Sequence, residues 1–146
     1  MRLTLHTDYA LRMMMQLALA GEGLVTIADV AARYDISRNH LMKVAGTLAQ
    51  AGFVESQRGR LGGLRLARPA GRISVGAIVR ELEQRTALVE CFPGGNGMCR
   101  IAPACRLKRA LAKAREAFFS VLDDYTLEDL VGGNAGLRDL LTGEAA

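Results

Sequence analysis

Three cysteines, Cys91, Cys99 and Cys105, fall within fifteen residues, with seven and then five residues between them, and the chain has no others. Pro93, Gly94, Gly95, Gly97 and Pro103 lie among them. Proline and glycine interrupt long helices, so the segment reads as a loop carrying soft sulfur donors. Such a loop suits spare thiols, zinc or an iron–sulfur cluster. Zinc sites favour close Cys-x₂₋₄-Cys pairs and four good ligands. Here the spacings are wider, and the only histidines are His6 and His40. A cluster fits better: its bulk takes widely spaced thiolates, and the N–H groups of a Gly-rich loop can bond its sulfides. Three thiolates leave one iron in need of another ligand, and Asp8 and His6 are the available groups outside the loop. A carboxylate binds iron weakly and would mark that iron as the point of attack for a small reactive molecule.

The elements around the loop must position these donors. The 146-residue length predicts one domain with an appendage, and an apolar half of the residues is enough for a core. Charge is uneven. Residues 1–80 hold eleven Lys/Arg against five Asp/Glu, a net of +6; residues 81–146 hold eight against ten, a net of −2. A basic front half points to a polyanion and a near-neutral rear half to protein contact or sensing. No signal peptide is visible, and the apolar run Met13–Ala20 is too short to span a membrane. The expected location is the cytoplasm, where clustered thiols bind metal or sense redox state rather than form structural disulfides.

Residues 8–20 read as a helix rich in Leu, Met and Ala, with Asp8 at its start and Gly21 at its end. Its apolar residues surround it, which predicts burial on several sides. Thr26 and Asp29 form a capping-box pattern opening a short helix, Ile27–Tyr34. After Asp35 and Ile36, Ser37 caps a second helix running to Ala51. Leu41, Val44, Ala45 and Leu48 share its inner face, while Asn39, Lys43, Gly46 and Gln50 lie opposite. That is a helix-turn-helix. Strands at 53–57 and 64–67 flank the turn 58–63, and the stretch from Ser56 to Arg80 holds six arginines and no acid. This order predicts a β-wing whose Gly-rich tip, with Gly62 and Gly63, approaches a sugar–phosphate backbone. Arg38, Asn39, His40 and Lys43 are expected in the major groove, with His40 alternatively on a phosphate or at the helix end. Arg58, Arg60 and Arg65 would set affinity and salt dependence.

Ser74 caps a further helix, with Val75, Ile78, Val79 and Leu82 at helical spacing, running into the cysteine loop near Glu90. After Cys105 a long helix extends to about Asp124. Leu107, Leu111, Ala114, Phe118, Val121 and Tyr125 alternate at four and three, a heptad seam that predicts a two-fold homodimer and a roughly palindromic DNA site. The expected fold class is mainly α with a small β-wing. Residues 1–80 form the winged helix-turn-helix domain, 81–131 the cysteine loop and dimerisation helix, and 132–146 a mobile tail. No acid–base pair in a cleft stands out, so an enzyme is not expected. A redox or electron-transfer protein is the alternative of a different class, with the basic helix-turn-helix and wing against it.

Five segments carry a resemblance: Thr7–Arg12, Ser37–Lys43, Arg58–Leu66, Val79–Glu83 and Ala102–Lys108. Together they resemble the iron–sulfur winged-helix repressors that include NsrR, IscR and RirA, over nearly the whole chain to Val131. Asp8 and the Ser37-Arg38-Asn39-His40 run are most similar to the nitric-oxide-sensing NsrR branch. IscR-like members carry a histidine where this chain has Lys108. RirA-like members, which respond to iron level, share a similar cysteine spacing and supply the alternative within the group. The resemblance implies a homodimer with one cluster per subunit, commonly 4Fe–4S with 2Fe–2S as the alternative, and DNA contacts through Ser37 and the residues named above. Cys91, Cys99 and Cys105 would be ligands, with Asp8 of the partner subunit as the fourth and nitric oxide as the signal.

Overall fold

A computed structural model describes residues 1–143. Helix α1, Leu5–Ala20, is the centre of the packing. It touches the second helix of the helix-turn-helix, the wing, and two later helices. Ala10, Met13, Met14 and Leu17 on it are fully buried and share one face, while Tyr9, Leu11 and Leu19, expected to be buried on other sides, are half-buried. The helix begins earlier than its composition suggests. Thr4 caps it, accepting from the Thr7 N–H, so Asp8 sits one turn inside rather than at the start.

Helix α2, Ile27–Tyr34, opens with the expected capping box between Thr26 and Asp29. The carboxylate of Asp29 is held below the usual range by the Thr26 hydrogen bonds it accepts. Asp35 takes a left-handed conformation at φ 52°, which turns the chain in one residue and buries Ile36. Helix α3, Arg38–Gln50, follows its Ser37 cap and buries Leu41, Val44, Ala45 and Leu48. Strands β1, Val54–Gln57, and β2, Gly63–Leu66, pair antiparallel with Val54 opposite Leu66 and Gln57 opposite Gly63. The wing is fixed to the body where Val25 and Leu64 exchange backbone hydrogen bonds of 2.9 and 2.7 Å.

Helix α4, Val75–Glu83, ends well before Glu90, which corrects the longer helix expected there. It crosses α5, Arg106–Asp123. Arg80 clasps the pair: it donates to Glu116 at 2.7 and 3.0 Å and to Asp123 at 2.7 and 3.2 Å, and lies 4.9 Å from the Phe119 ring centroid. Arg80 therefore leaves the set of wing arginines. Its hydrogen bonds hold the Glu116 and Asp123 carboxyls below the usual range. Carboxylates lowered in the folded state stabilise it above their unfolded values, and that contribution is lost as pH falls through the folded ones. The protection of α5 amides from exchange, taken relative to their intrinsic rate at each pH, is thus expected to fall below about pH 4. Arg80→Met should remove that acid-dependent step; a step of unchanged size would assign it elsewhere.

Helix α6, Leu127–Val131, has its own capping box between Thr126 and Asp129 and drives Leu127 into the core beneath α1. Helix α7, Ala135–Thr142, stands where a mobile tail was expected over 132–146. Asn134 caps it, Gly143 ends it in the left-handed region, and Leu141 is buried. Residues 144–146 of that expected tail lie outside the described residues. Among the described residues no helix is long and apolar enough to cross a membrane.

Candidate functional site

The face expected to read DNA is made of α3 and the wing. Arg38, Asn39, Lys43, Gly46 and Gln50 are all exposed, and no acid occurs from Ile36 to Val54. Ser37 is committed to the helix start, accepting from the His40 N–H at 3.4 Å. His40 is half-buried: its ring meets Tyr9 edge-on at 4.7 Å and stacks on His6 at 6.1 Å. The structure thus gives His40 a contact with α1 that spacing alone did not indicate. Arg58 and Arg60 project from the wing turn, exposed and in no ion pair among the described residues. Arg65 is bonded across the hairpin to Glu55 at 3.1 Å. Gly62 and Gly63 have a structural reason of their own. A Cβ at Gly62 would meet the Gln57 and Gly59 carbonyls, and one at Gly63 would lie 3.0 Å from the Val25 carbonyl oxygen. Leu61, 87% exposed at the tip, was not singled out from sequence.

The cysteine loop is the second part. Residues 84–101 form turns and no regular helix or strand. The loop folds tightly on itself: Gly97 N–H donates to the Glu90 carbonyl at 3.1 Å, and Phe92 is buried beneath. Gly94 has φ 90°, and a Cβ there would press on the Arg85 carbonyl. All three cysteines are free and half-buried. Cys105 caps α5, its Sγ accepting from the Lys108 N–H at 3.4 Å. Three free thiols in one loop have the donor chemistry an iron–sulfur cluster takes. Among the described residues, however, no three His, Cys, Asp or Glu side chains come close enough together to hold a metal ion. This single chain does not gather Cys91, Cys99, Cys105 and Asp8.

Of the two external groups, His6 is engaged elsewhere, sharing a hydrogen bond of 3.1 Å with Thr47 of α3. Burial and the neighbouring His40 hold its pKa down, against the pull of Glu83. Asp8 is gripped by Arg12, which donates at 3.1 Å to Oδ1 and at 2.7 Å to Oδ2. Arg12 lies near the Tyr9 and Tyr34 rings, and the Tyr34 hydroxyl donates to its carbonyl at 3.0 Å. Both side chains of the pair are 40% exposed, and such an i,i+4 pair is worth only about 0.3–0.5 kcal/mol. That is too little to keep Asp8 from a metal.

A buried acid, Glu83, was also missed. It is 2% exposed, and one of its oxygens accepts from the Thr4 N–H and hydroxyl, both at 2.9 Å, and from the Thr7 hydroxyl. Burial raises its pKa, and these hydrogen bonds outweigh that and leave it below the usual range.

A family model described as Rrf2, an iron-dependent transcriptional regulator, matches residues 3–133. The chain belongs to the Rrf2 family. Its relatives include the HTH-type transcriptional regulator NsrR of Geobacillus kaustophilus, 48% identical over 142 residues and covering 97% of each chain. The NsrR of Bacillus licheniformis is 45% identical over 143 residues, covering 97% of this chain and 100% of that one. The resemblance to NsrR read from the five sequence segments is borne out. The fold is similar to that of T. potens IscR, with a TM-score of 0.71 and 28% identity, covering 100% of this chain and 93% of that one. Rrf2 membership therefore makes this a DNA-binding transcriptional regulator with a winged helix-turn-helix, and its relatives are regulators rather than enzymes.

Proposed function

We infer that this Rrf2 protein is a homodimeric repressor in the cytoplasm that occupies a palindromic operator and senses nitric oxide through an iron–sulfur cluster, 4Fe–4S in the favoured reading. Residues 1–80 would read DNA and residues 81–131 would hold the cluster and the subunit interface. The observation that carries this is three free, half-buried thiols in one loop, within a chain whose other half presents an acid-free helix. Cys91, Cys99 and Cys105 would be ligands, with Asp8 of the partner subunit as the fourth. Iron in such a cluster supplies the sites at which nitric oxide binds.

The chain's own residues do the rest. Arg38, Asn39 and Lys43 would contact base edges and Arg58 and Arg60 phosphates, with Ser37, His40, Gly62, Gly63 and Arg65 shaping the same surface. On α5, Leu107 and Val121 are 62% and 58% exposed while Phe119 faces α4, and Tyr125, the last residue of the expected seam, lies two residues past the end of the helix at 48% exposure. The seam is thus left free for a second copy of the helix, which supports the dimer. When Asp8 is not a ligand, Arg12 is placed to hold it.

Protein purified without oxygen is expected to show cluster absorbance and to lose operator affinity when given nitric oxide, by a factor in the ~5–150-fold range usual for coupled sites. Equal affinity with and without the cluster would remove the switch. Asp8→Ala is expected to load less cluster and to blunt the response; an unchanged response would leave Asp8 as the partner of Arg12 alone. The family description, iron-dependent, favours iron level as a second reading. Under it, iron depletion would release DNA while nitric oxide would not.

A further inference from the structure

We propose that Glu83 is a positioning residue that carries the state of the cysteine loop to the recognition helix, through the first turn of α1. The inference rests on the sensing reading above and assigns its route within the subunit. Glu83 is the last residue of α4, and the loop with Cys91 begins directly after it. Its carboxylate reaches back across the chain to Thr4 and Thr7, of which Thr7 is fully buried. The turn held in this way contains His6 and is followed by Asp8 and Tyr9. His6 bonds Thr47 toward the end of α3, and Tyr9 meets His40 in the first turn of α3. A displacement at the end of α4 thus reaches both ends of the recognition helix through one rigid turn.

The energetics single out a role in position rather than in stability. Burying a carboxylate is costly unless its hydrogen bonds are complete, and an apolar residue of similar size is often as good for stability. Glu83 forms no ion pair among the described residues; its described hydrogen-bond partners are the neutral threonines. Thr4 already caps α1 without it. What Glu83 adds is direction: its acceptor oxygen has one geometry that satisfies three donors at once. The carboxylate also sits at the positive end of the α1 dipole, which favours this placement.

The test uses the full-length protein. Operator affinity is measured by gel shift with and without cluster, and amide exchange is followed in cluster-free protein. Glu83→Gln keeps the volume but puts an amide among the donors. It is expected to load cluster to wild-type absorbance, while the ratio of loaded to cluster-free affinity falls at least about tenfold toward one. In the cluster-free variant, exchange should quicken in Thr7–Leu11 and in Thr47–Ala49 together. Thr7→Val should reproduce both effects and Thr7→Ser should restore the wild-type values, so the role stays testable should Glu83→Gln not fold. Leu141→Ala, which loosens packing under α7, should lower stability and leave the ratio intact. The role is overturned by a wild-type ratio in Glu83→Gln, by loosening confined to α1, or by an equal loss of ratio in Leu141→Ala. A ratio of one in wild-type protein would instead remove the sensing reading, and the exchange result would still decide the link between Glu83 and α3.

Discussion

Arg38→Ala combined with Asn39→Ala is expected to abolish preference for the operator while leaving the fold intact. Both residues lie in the exposed first turn of α3, and the core face of that helix is made by Leu41, Val44, Ala45 and Leu48. Arginine suits the guanine edge and asparagine the adenine edge, and each base contact carries about 1–3 kcal/mol of discrimination. In the proposed two-fold dimer every contact is made twice, so the combined loss should reach about a thousandfold or more. Arg58→Ala with Arg60→Ala should behave differently. Those side chains stand on the wing turn, free of ion pairs among the described residues. Without them, binding to operator and random DNA should weaken alike, and the dependence of log K on log salt should flatten by roughly 0.9 for each phosphate no longer neutralised. Titrations on both DNAs at several salt concentrations separate the two. If the α3 variant lost both affinities equally, Arg38 and Asn39 would be backbone contacts and the bases would be read elsewhere.

Two helical glycines should respond to alanine with opposite signs. Gly76 lies in α4 where α5 crosses it, and a Cβ there would stand 2.5 Å from the Asp123 backbone nitrogen and 2.7 Å from its Cα. Those are main-chain atoms and cannot turn aside. Gly76→Ala should therefore force α4 and α5 apart, strain the Arg80 clasp and destabilise the protein by about 1–3 kcal/mol, the usual range for overpacking. Gly46 lies in α3, where an added Cβ meets nothing within 4 Å. Gly46→Ala should stabilise by about 0.5–1 kcal/mol, because glycine in an open helix carries only its entropic penalty. Urea unfolding midpoints measure both. A midpoint for Gly76→Ala equal to or above that of the wild type would mean the helices cross with more slack than the geometry shows.

The parts legible in the sequence were those with local causes. The capping box at Thr26 and Asp29 and the Ser37 cap placed α2 and α3 because each is closed within four residues. The wing was legible from the Arg-Gly turn between two short β-prone runs. The parts that failed had distant causes. Arg80 looked like one more wing arginine because Glu116 and Asp123 lie 36 and 43 residues away. Glu83 entered only as the end of the Val79–Glu83 segment, and its burial was not legible because its donors are 76 and 79 residues away. His40 looked free because Tyr9 is on another helix. For α7 a local signal existed and was passed over: Asn134 accepts from the Leu137 N–H, and Leu141 follows at helical spacing. The pairing of Asp8 with Arg12 was likewise available from their i,i+4 spacing. The assembly of three thiols with a carboxylate is of another kind. The resemblance places that carboxylate on a second subunit, where no reading of one chain can bring it into contact.

The central place of α1 also bears on how the protein is made. Helix α1 is synthesised before the elements that cover it, for its packing is finished by Leu127, and the segment around Ile73 is tied to the α6 region by the Val75–Tyr125 and Ile73–Leu127 backbone bonds. Pairings of such sequence separation carry a large loop-closure cost and form late. Until about residue 131 has emerged, the apolar sides of α1 have no complete cover. A nascent chain shortened before α6 should expose Met13, Met14 and Leu17 and be handled by chaperones and proteases as unfolded protein. Exposure of α1 thus reports whether synthesis has passed α6.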